Sequence, residues 1–230
     1  MAESSVLPSS TPTIVLSKSS CVKPENYAFR QITFLVEGCL FRVPRLYFER
    51  ESEFFRTTFQ LPQESGRALD GDSDEQPFRL DDVKKADFKA LLGIMYPKNF
   101  QSLPIAFTVD QWTSVLKLST MWEFDKIRNL SIERLKAQLS DPIQKLVLAR
   151  RYEIESWKLP AIRKLVERRD PITLREGMAI GIEAALKIAS IRECCCRNNE
   201  TGEWVMQDSR LRAESEIPGL ADRIKTTFGL

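Results

Sequence analysis

Apolar and polar residues alternate from Ile32 to Val43 with the period of two short strands. Ile32, Phe34 and Val36 share one strand face, with Thr33, Leu35 and Glu37 on the other. Glu37-Gly38 interrupts the run, and an acid–glycine pair suits a two-residue hairpin turn because glycine tolerates positive φ. Leu35 makes the second face partly apolar, as expected for a sheet covered on both sides. Pro44 ends the second strand.

The period then changes. Phe48, Phe54, Phe55 and Phe59 follow within a short span, and Ser52 is placed to cap a helix beginning at Glu53. Phe55 and Phe59, four apart, would meet on one helix face. Pro62 to Pro77 reads as a polar loop, with an acidic run from Asp70 to Glu75. Phe78-Arg79-Leu80 reads as a short strand. Asp81 or Asp82 is expected to cap a helix carrying Phe88, Leu91, Leu92 and Met95, which Tyr96-Pro97 stops. The segment from there to Phe107 contains two prolines and reads as a loop or a poor edge strand.

Beyond it the pattern is helical from about 108 to 192. Thr108 with Gln111, Asp141 with Gln144 and Thr173 with Glu176 have capping-box spacing, and Pro142 suits a first helical position. The apolar sets are Trp112, Val115, Leu116 and Trp122; Phe124, Ile127, Leu130 and Leu135; Ile143, Leu146 and Val147; Leu159, Ile162, Leu165 and Val166; and Leu174, Met178, Ile182, Ala185 and Ala189. The last set is expected to form one helix with an apolar face, in which Gly177 and Gly181 permit close packing. A final helix is expected from Leu220 to Phe228. Residues 1–26, rich in Ser and Pro, are expected to be disordered. The expected division is therefore 1–26, a mixed domain over 27–138, a helical extension over 139–192, and a polar tail over 193–230.

The order strand–strand–helices–strand–helix–loop–helices, with Phe34-Leu35-Val36-Glu37-Gly38, Phe41, Ser52-Glu53-Phe54-Phe55 and Phe59, resembles the BTB/POZ family. Leu80, Phe88, Leu91-Leu92 and Tyr96-Pro97 resemble the third strand and third helix of that family. Phe41-Arg42-Val43-Pro44 and the Trp112 to Trp122 helix look like the large set of such proteins from mushroom-forming fungi. The resemblance implies an α+β fold, a small sheet capped by helices, followed by an all-helical C-terminal extension. It also implies protein partners. A homodimer interface is expected at Gln31, Leu46, Tyr47 and Phe48, and a cullin-facing surface at Tyr96, Lys98, Phe100 and Phe124. Three positions depart from the family pattern. Gln31 stands where many members have Asp, Val43-Pro44-Arg45 where many have His, and Phe100-Gln101-Ser102 lacks the acid of the cullin-binding triplet.

Composition narrows the chemistry. The 230 residues include 34 basic and 32 acidic side chains, a net charge of +2, so no overall positive field exists to hold nucleic acid. Histidine is absent, which excludes Ser-His-Asp and Cys-His sites and histidine-ligated metals. No catalytic residues, cofactor or metal are expected; an enzyme using carboxylate or lysine chemistry in place of histidine stays open as an alternative to an interaction scaffold or a cullin-ligase adaptor. No apolar run approaches the length of a membrane span, and the N-terminus does not read as a signal peptide. Five cysteines without framework spacing fit a reducing compartment, cytoplasmic or nuclear.

Three features invite sharper readings. Cys194-Cys195-Cys196 is poorly spaced for one metal. It reads first as a helix end, with S-acylation as the route to a membrane. The phenylalanines of residues 34–59 read as core packing, with some available to a dimer interface. Arg42, Arg45, Arg50 and Arg56 interleave with Glu49, Glu51 and Glu53 and read as a solvated set of ion pairs.

Overall fold

The computed structural model describes residues 30–61, 71–97, 107–195 and 219–230. Strand β1 (Gln31–Val36) pairs antiparallel with β2 (Cys39–Pro44), Phe34 opposite Phe41 and Leu35 opposite Leu40. Both turn residues have positive φ, 46° at Glu37 and 73° at Gly38, as a tight hairpin of this hand requires. Strand β3 (Phe78–Arg79) runs parallel to β1 on its other side, giving the order β2-β1-β3.

The central strand is covered on both faces. Ile32, Phe34, Val36 and Thr33 are all buried. Phe34 is the hub of an aromatic cluster, with ring centroids 4.9 Å from Phe48, 5.3 Å from Phe88, 5.7 Å from Phe78 and 5.9 Å from Phe55. Most of these pairs are edge-to-face, the arrangement favoured by the ring quadrupoles.

Helices α1 (Leu46–Glu51) and α2 (Glu53–Gln60) close over the sheet. Ser52 stands between them. Its hydroxyl accepts from the Phe55 N–H and donates to the Trp122 carbonyl at 2.5 Å, tying α2 to a residue 70 positions away. Helices α3 (Lys85–Met95), α4 (Val109–Met121) and α5 (Asp125–Gln138) pack in succession. The Thr108–Gln111 capping box forms in both directions.

The extension comprises α6 (Pro142–Arg151), α7 (Glu155–Glu167), α8 (Leu174–Ile180), α9 (Ile182–Cys195) and α10 (Leu220–Phe228). Asp141 caps α6 through the N–H groups of Ile143 and Gln144. The last helix folds back on α7 and α9, burying Leu220 and Ile224. Two buried apolar clusters result. One runs from Ile32 to Trp157, and the other takes Ile143, Leu146, Ala161, Ile162 and later residues. Helix α6 feeds both, Ala149 entering the first and Ile143 and Leu146 the second.

Two expectations need correction. Neither Asp81 nor Asp82 caps α3, which begins at Lys85 without a side-chain bond from its own cap residue. The cap comes from the hairpin. The Glu37 carboxylate accepts the Lys85 N–H at 2.8 Å. A non-glycine residue in left-handed geometry costs about 1–2 kcal/mol, and here the same turn aims a carboxylate at a helix N-terminus, where negative charge is favoured.

The second correction concerns residues 174–189, which form two helices. Gly181, at φ +91°, breaks the chain. The Arg150 guanidinium donates to the Ile180 carbonyl at the end of α8, and a β-carbon at residue 181 would collide with it. The break changes which residues are covered. Gly177, Ile180, Ile188 and Ile191 are buried, while Leu174, Met178 and Ile182 are exposed. Periodicity reveals an apolar stripe, but this segment carries two.

Helix α8 is held by a second complete box, Thr173 with Glu176. Arg168 adds two parallel bonds to the Glu176 carboxylate, at 2.8 and 2.6 Å. That hydrogen bonding, followed by the Thr173 backbone donor, holds the Glu176 carboxyl at about 2, against its ordinary 4.5. A depressed native pKa gives a stabilising contribution that is complete above the unfolded value and lost as pH falls through the native one. The stability gap between the native chain and Glu176→Gln should therefore be full above pH 4.5 and close as pH drops toward 2. Thermal unfolding across that range measures it. Phe34→Ala should cost about 3–5 kcal/mol, read by denaturant unfolding.

Candidate functional site

The antiparallel ladder sets Gln31 opposite Pro44, and the Arg45 N–H donates to the Arg30 carbonyl at 2.8 Å. The start of β1 and the start of α1 are thus neighbours, although 15 positions separate Gln31 from Leu46 in the sequence. Gln31, Leu46 and Tyr47 are exposed on this corner, at 38% for Leu46 and 37% for Tyr47. Phe48 is not. Its ring is fully buried against Phe34, Phe55 and Phe124, because α1 is short and only one side of its single turn and a half faces the sheet.

Arg45 fixes the corner. It is 8% exposed, its guanidinium lies 4.2 Å from the Phe59 ring centroid, and it donates to Glu49 at 2.6 Å. Arg42, Arg50 and Arg56 are likewise paired, with Asp74, Glu51 and Glu53.

Tyr47 joins this corner to a second feature. Its ring packs edge-on against Tyr96 at 5.4 Å, and the Tyr96 hydroxyl donates to the Pro44 carbonyl at 2.7 Å. Burial, then the neighbouring Tyr47 phenol, pushes the Tyr96 hydroxyl well above its ordinary pKa, so it remains a donor. Beyond Tyr47 lies a cleft of about 210 Å³ between α1, α3 and α5, lined by Tyr47, Ile94, Met95, Phe124 and Ile127. Arg50, Glu51 and Lys126 form its charged side. Glu51 accepts from Lys126 and from Arg50, both at 2.8 Å, and the Lys126 bond in particular lowers its carboxyl pKa.

Of the residues expected to face a cullin, Tyr96 is half-buried at the end of α3. Phe124 is fully buried and reaches only the inner wall of the cleft, because it lies just ahead of α5 with its ring turned into the core against Phe48 and Phe55. Lys98 and Phe100 lie outside the described residues, as do residues 1–26, Cys196 and the side chains of Cys194 and Cys195. The sequence missed Ile94, Met95, Glu51, Lys126 and Ile127 as one wall. Met95 and Ile127 stood in apolar stripes, but nothing in the sequence couples Glu51 to a lysine 75 positions later.

The cleft is smaller than the roughly 300 Å³ at which small-molecule pockets begin. It fits one inserted side chain. Among the described residues no group of three or more Cys, Asp or Glu side chains could hold a metal ion, and no helix is long and apolar enough to cross a membrane.

A family comparison decides what kind of surface this is. The BTB/POZ domain model matches residues 23–139, just over half of the chain. The chain belongs to the BTB/POZ family. The BTB/POZ assignment makes residues 23–139 a protein–protein interaction module, in an α+β fold with a helical extension. No curated protein matches the sequence.

Tyr47 and Phe48 are adjacent yet differ in burial, which separates surface from core. Tyr47→Ala should change stability by less than about 1 kcal/mol, whereas Phe48→Ala should cost about 3–5 kcal/mol. Paired denaturant titrations read both.

Proposed function

We propose that this BTB/POZ protein is a non-enzymatic scaffold that self-associates through the corner formed by Gln31, Leu46 and Tyr47. The observation that carries the reading is the pairing of β1 with β2, which brings two exposed apolar side chains of α1 beside the exposed Gln31 at the start of β1. Apolar anchors inside a polar rim are the ordinary composition of such interfaces. Arg45 and the Tyr96–Pro44 bond hold the corner rigid, so association orders little that is not already ordered. The test is sedimentation of the full chain and of a Leu46→Asp/Tyr47→Asp variant. The variant should lower the associated mass by one step with little change in melting temperature. An unchanged mass would overturn the reading.

A second reading is supported by the cleft. A cullin adaptor would accept one partner side chain between Met95 and Ile127, beside Tyr47 and Tyr96. Calorimetric titration with a cullin N-terminal domain should then give micromolar or tighter binding, weakened about tenfold or more by Met95→Ala. Absence of heat at high concentration would remove that cullin as a partner.

A further inference from the structure

Four large apolar side chains stand on the outer side of α8 and α9. Leu174 is 81% exposed, Met178 70%, Ile182 68% and Leu186 65%. They fall at four-residue intervals on either side of the Gly181 break. Between the two helices runs an open groove of about 420 Å³ with a floor of small residues, Gly177, Ala185 and Ala189. The helices are close here, since a β-carbon at Gly177 would stand in ordinary contact, 3.5 Å from that of Ala185.

Together the four side chains expose on the order of 500 Å² of apolar surface, at the top of what a monomeric protein ordinarily carries in one patch. A further few hundred Å² of rim would bring one side to the roughly 800 Å² of a standard interface. The four side chains also wall the groove. A small molecule seated between them would cover their inner sides and leave their outer sides bare, so covering the whole patch takes a macromolecular surface.

Charge on the rim narrows the cover. Glu183 pairs with Lys187 at 2.8 Å, Arg168 holds Glu176, and Arg175, Arg192 and Glu193 complete an evenly mixed border. An anionic membrane would call for a basic polar face, which this helix pair lacks. A strongly charged protein would find no complementary field. A surface with the same mixed border would meet little like-charge repulsion. The shape is also self-complementary, since one patch carries both tall side chains and a small-residue furrow between them. An isologous contact needs both on the same surface.

We propose that the α8–α9 face is a second self-association surface, on which another copy of this chain seats its Leu174, Met178, Ile182 and Leu186 across a two-fold axis. This contact is separate from the β1–α1 corner. With both in use, the chain would join copies at two places and grow beyond a dimer.

The test is sedimentation equilibrium of the full chain in two backgrounds, native and Leu46→Asp/Tyr47→Asp. Met178→Glu introduces a carboxylate at a site exposed in the monomer, so folding should be unaffected, as a melting curve checks. In the Leu46→Asp/Tyr47→Asp background, where only this contact remains, it should weaken association ~100-fold or more, because the two-fold axis places two unpaired charges in one contact. In the native background it should lower the associated mass by one step. Leu186→Glu should act alike. In the Leu46→Asp/Tyr47→Asp background, an equimolar mixture of Met178→Glu and Met178→Lys should recover association that neither variant shows alone. If Met178→Glu and Leu186→Glu leave the mass unchanged in both backgrounds, or the mixture recovers nothing, the proposal is overturned. Loss of association at the β1–α1 variant alone bears only on the other contact.

Discussion

The Phe34 ring is the constraint on which the N-terminal half depends. It sits on the middle strand of three, and its neighbours come from α1, α2, β3 and α3. Phe55 of α2 shares the role, its ring meeting Phe34, Phe48, Phe78 and Phe124. Each edge-to-face pair is worth about 0.5–1.5 kcal/mol beyond the area it buries. The larger effect is positional. A ring that must meet four others in preferred geometry fixes how α1 and α3 lie over the sheet. The rotation of α1 then decides that Phe48 turns inward and Tyr47 outward. The exposed corner is a by-product of the core.

Much of this was legible in the sequence. The hairpin, the Ser52 cap, the stop at Tyr96, two complete capping boxes and the terminal helix all follow from local chemistry, in which partners lie within a few residues. What was illegible involves distance. The Glu37 cap on α3 spans 48 positions and the Ser52 bond to Trp122 spans 70. The cleft was equally hidden, since its charged side joins α1 to α5. At residues 174–189 the local signal was sound but ambiguous. Helical spacing was present on two sides, and a single positive φ at Gly181 settled which side faces inward. Of the expected surface residues, Gln31, Leu46 and Tyr47 are outward, and Phe48 and Phe124 are inward. Aromatic residues at helical spacing announce burial against something, without saying whether that something is the same chain.

The abundant arginines illustrate a different economy. Arg42, Arg45, Arg50 and Arg56 each find a carboxylate, yet only Arg45 is largely buried and stacked on a ring. Exposed pairs of this kind contribute little stability. Their effect is on the surface, where paired charges present no net field and leave recognition to apolar side chains.

Helix α6 has a consequence for where this protein can be divided. The family match stops at residue 139, but the cluster around Phe34 continues through Ala149, Tyr152, Ile154 and Trp157. Arg128 of α5 also donates to the Tyr152 carbonyl at 2.8 Å. The segment that matches the family is thus shorter than the segment that packs as one. A chain ended at the family border would keep every recognisable feature of the module and lose one wall of its interior. Recombination that exchanged extensions among relatives would need to carry α6 and the start of α7 with the module, so the workable seam lies inside α7, past Trp157.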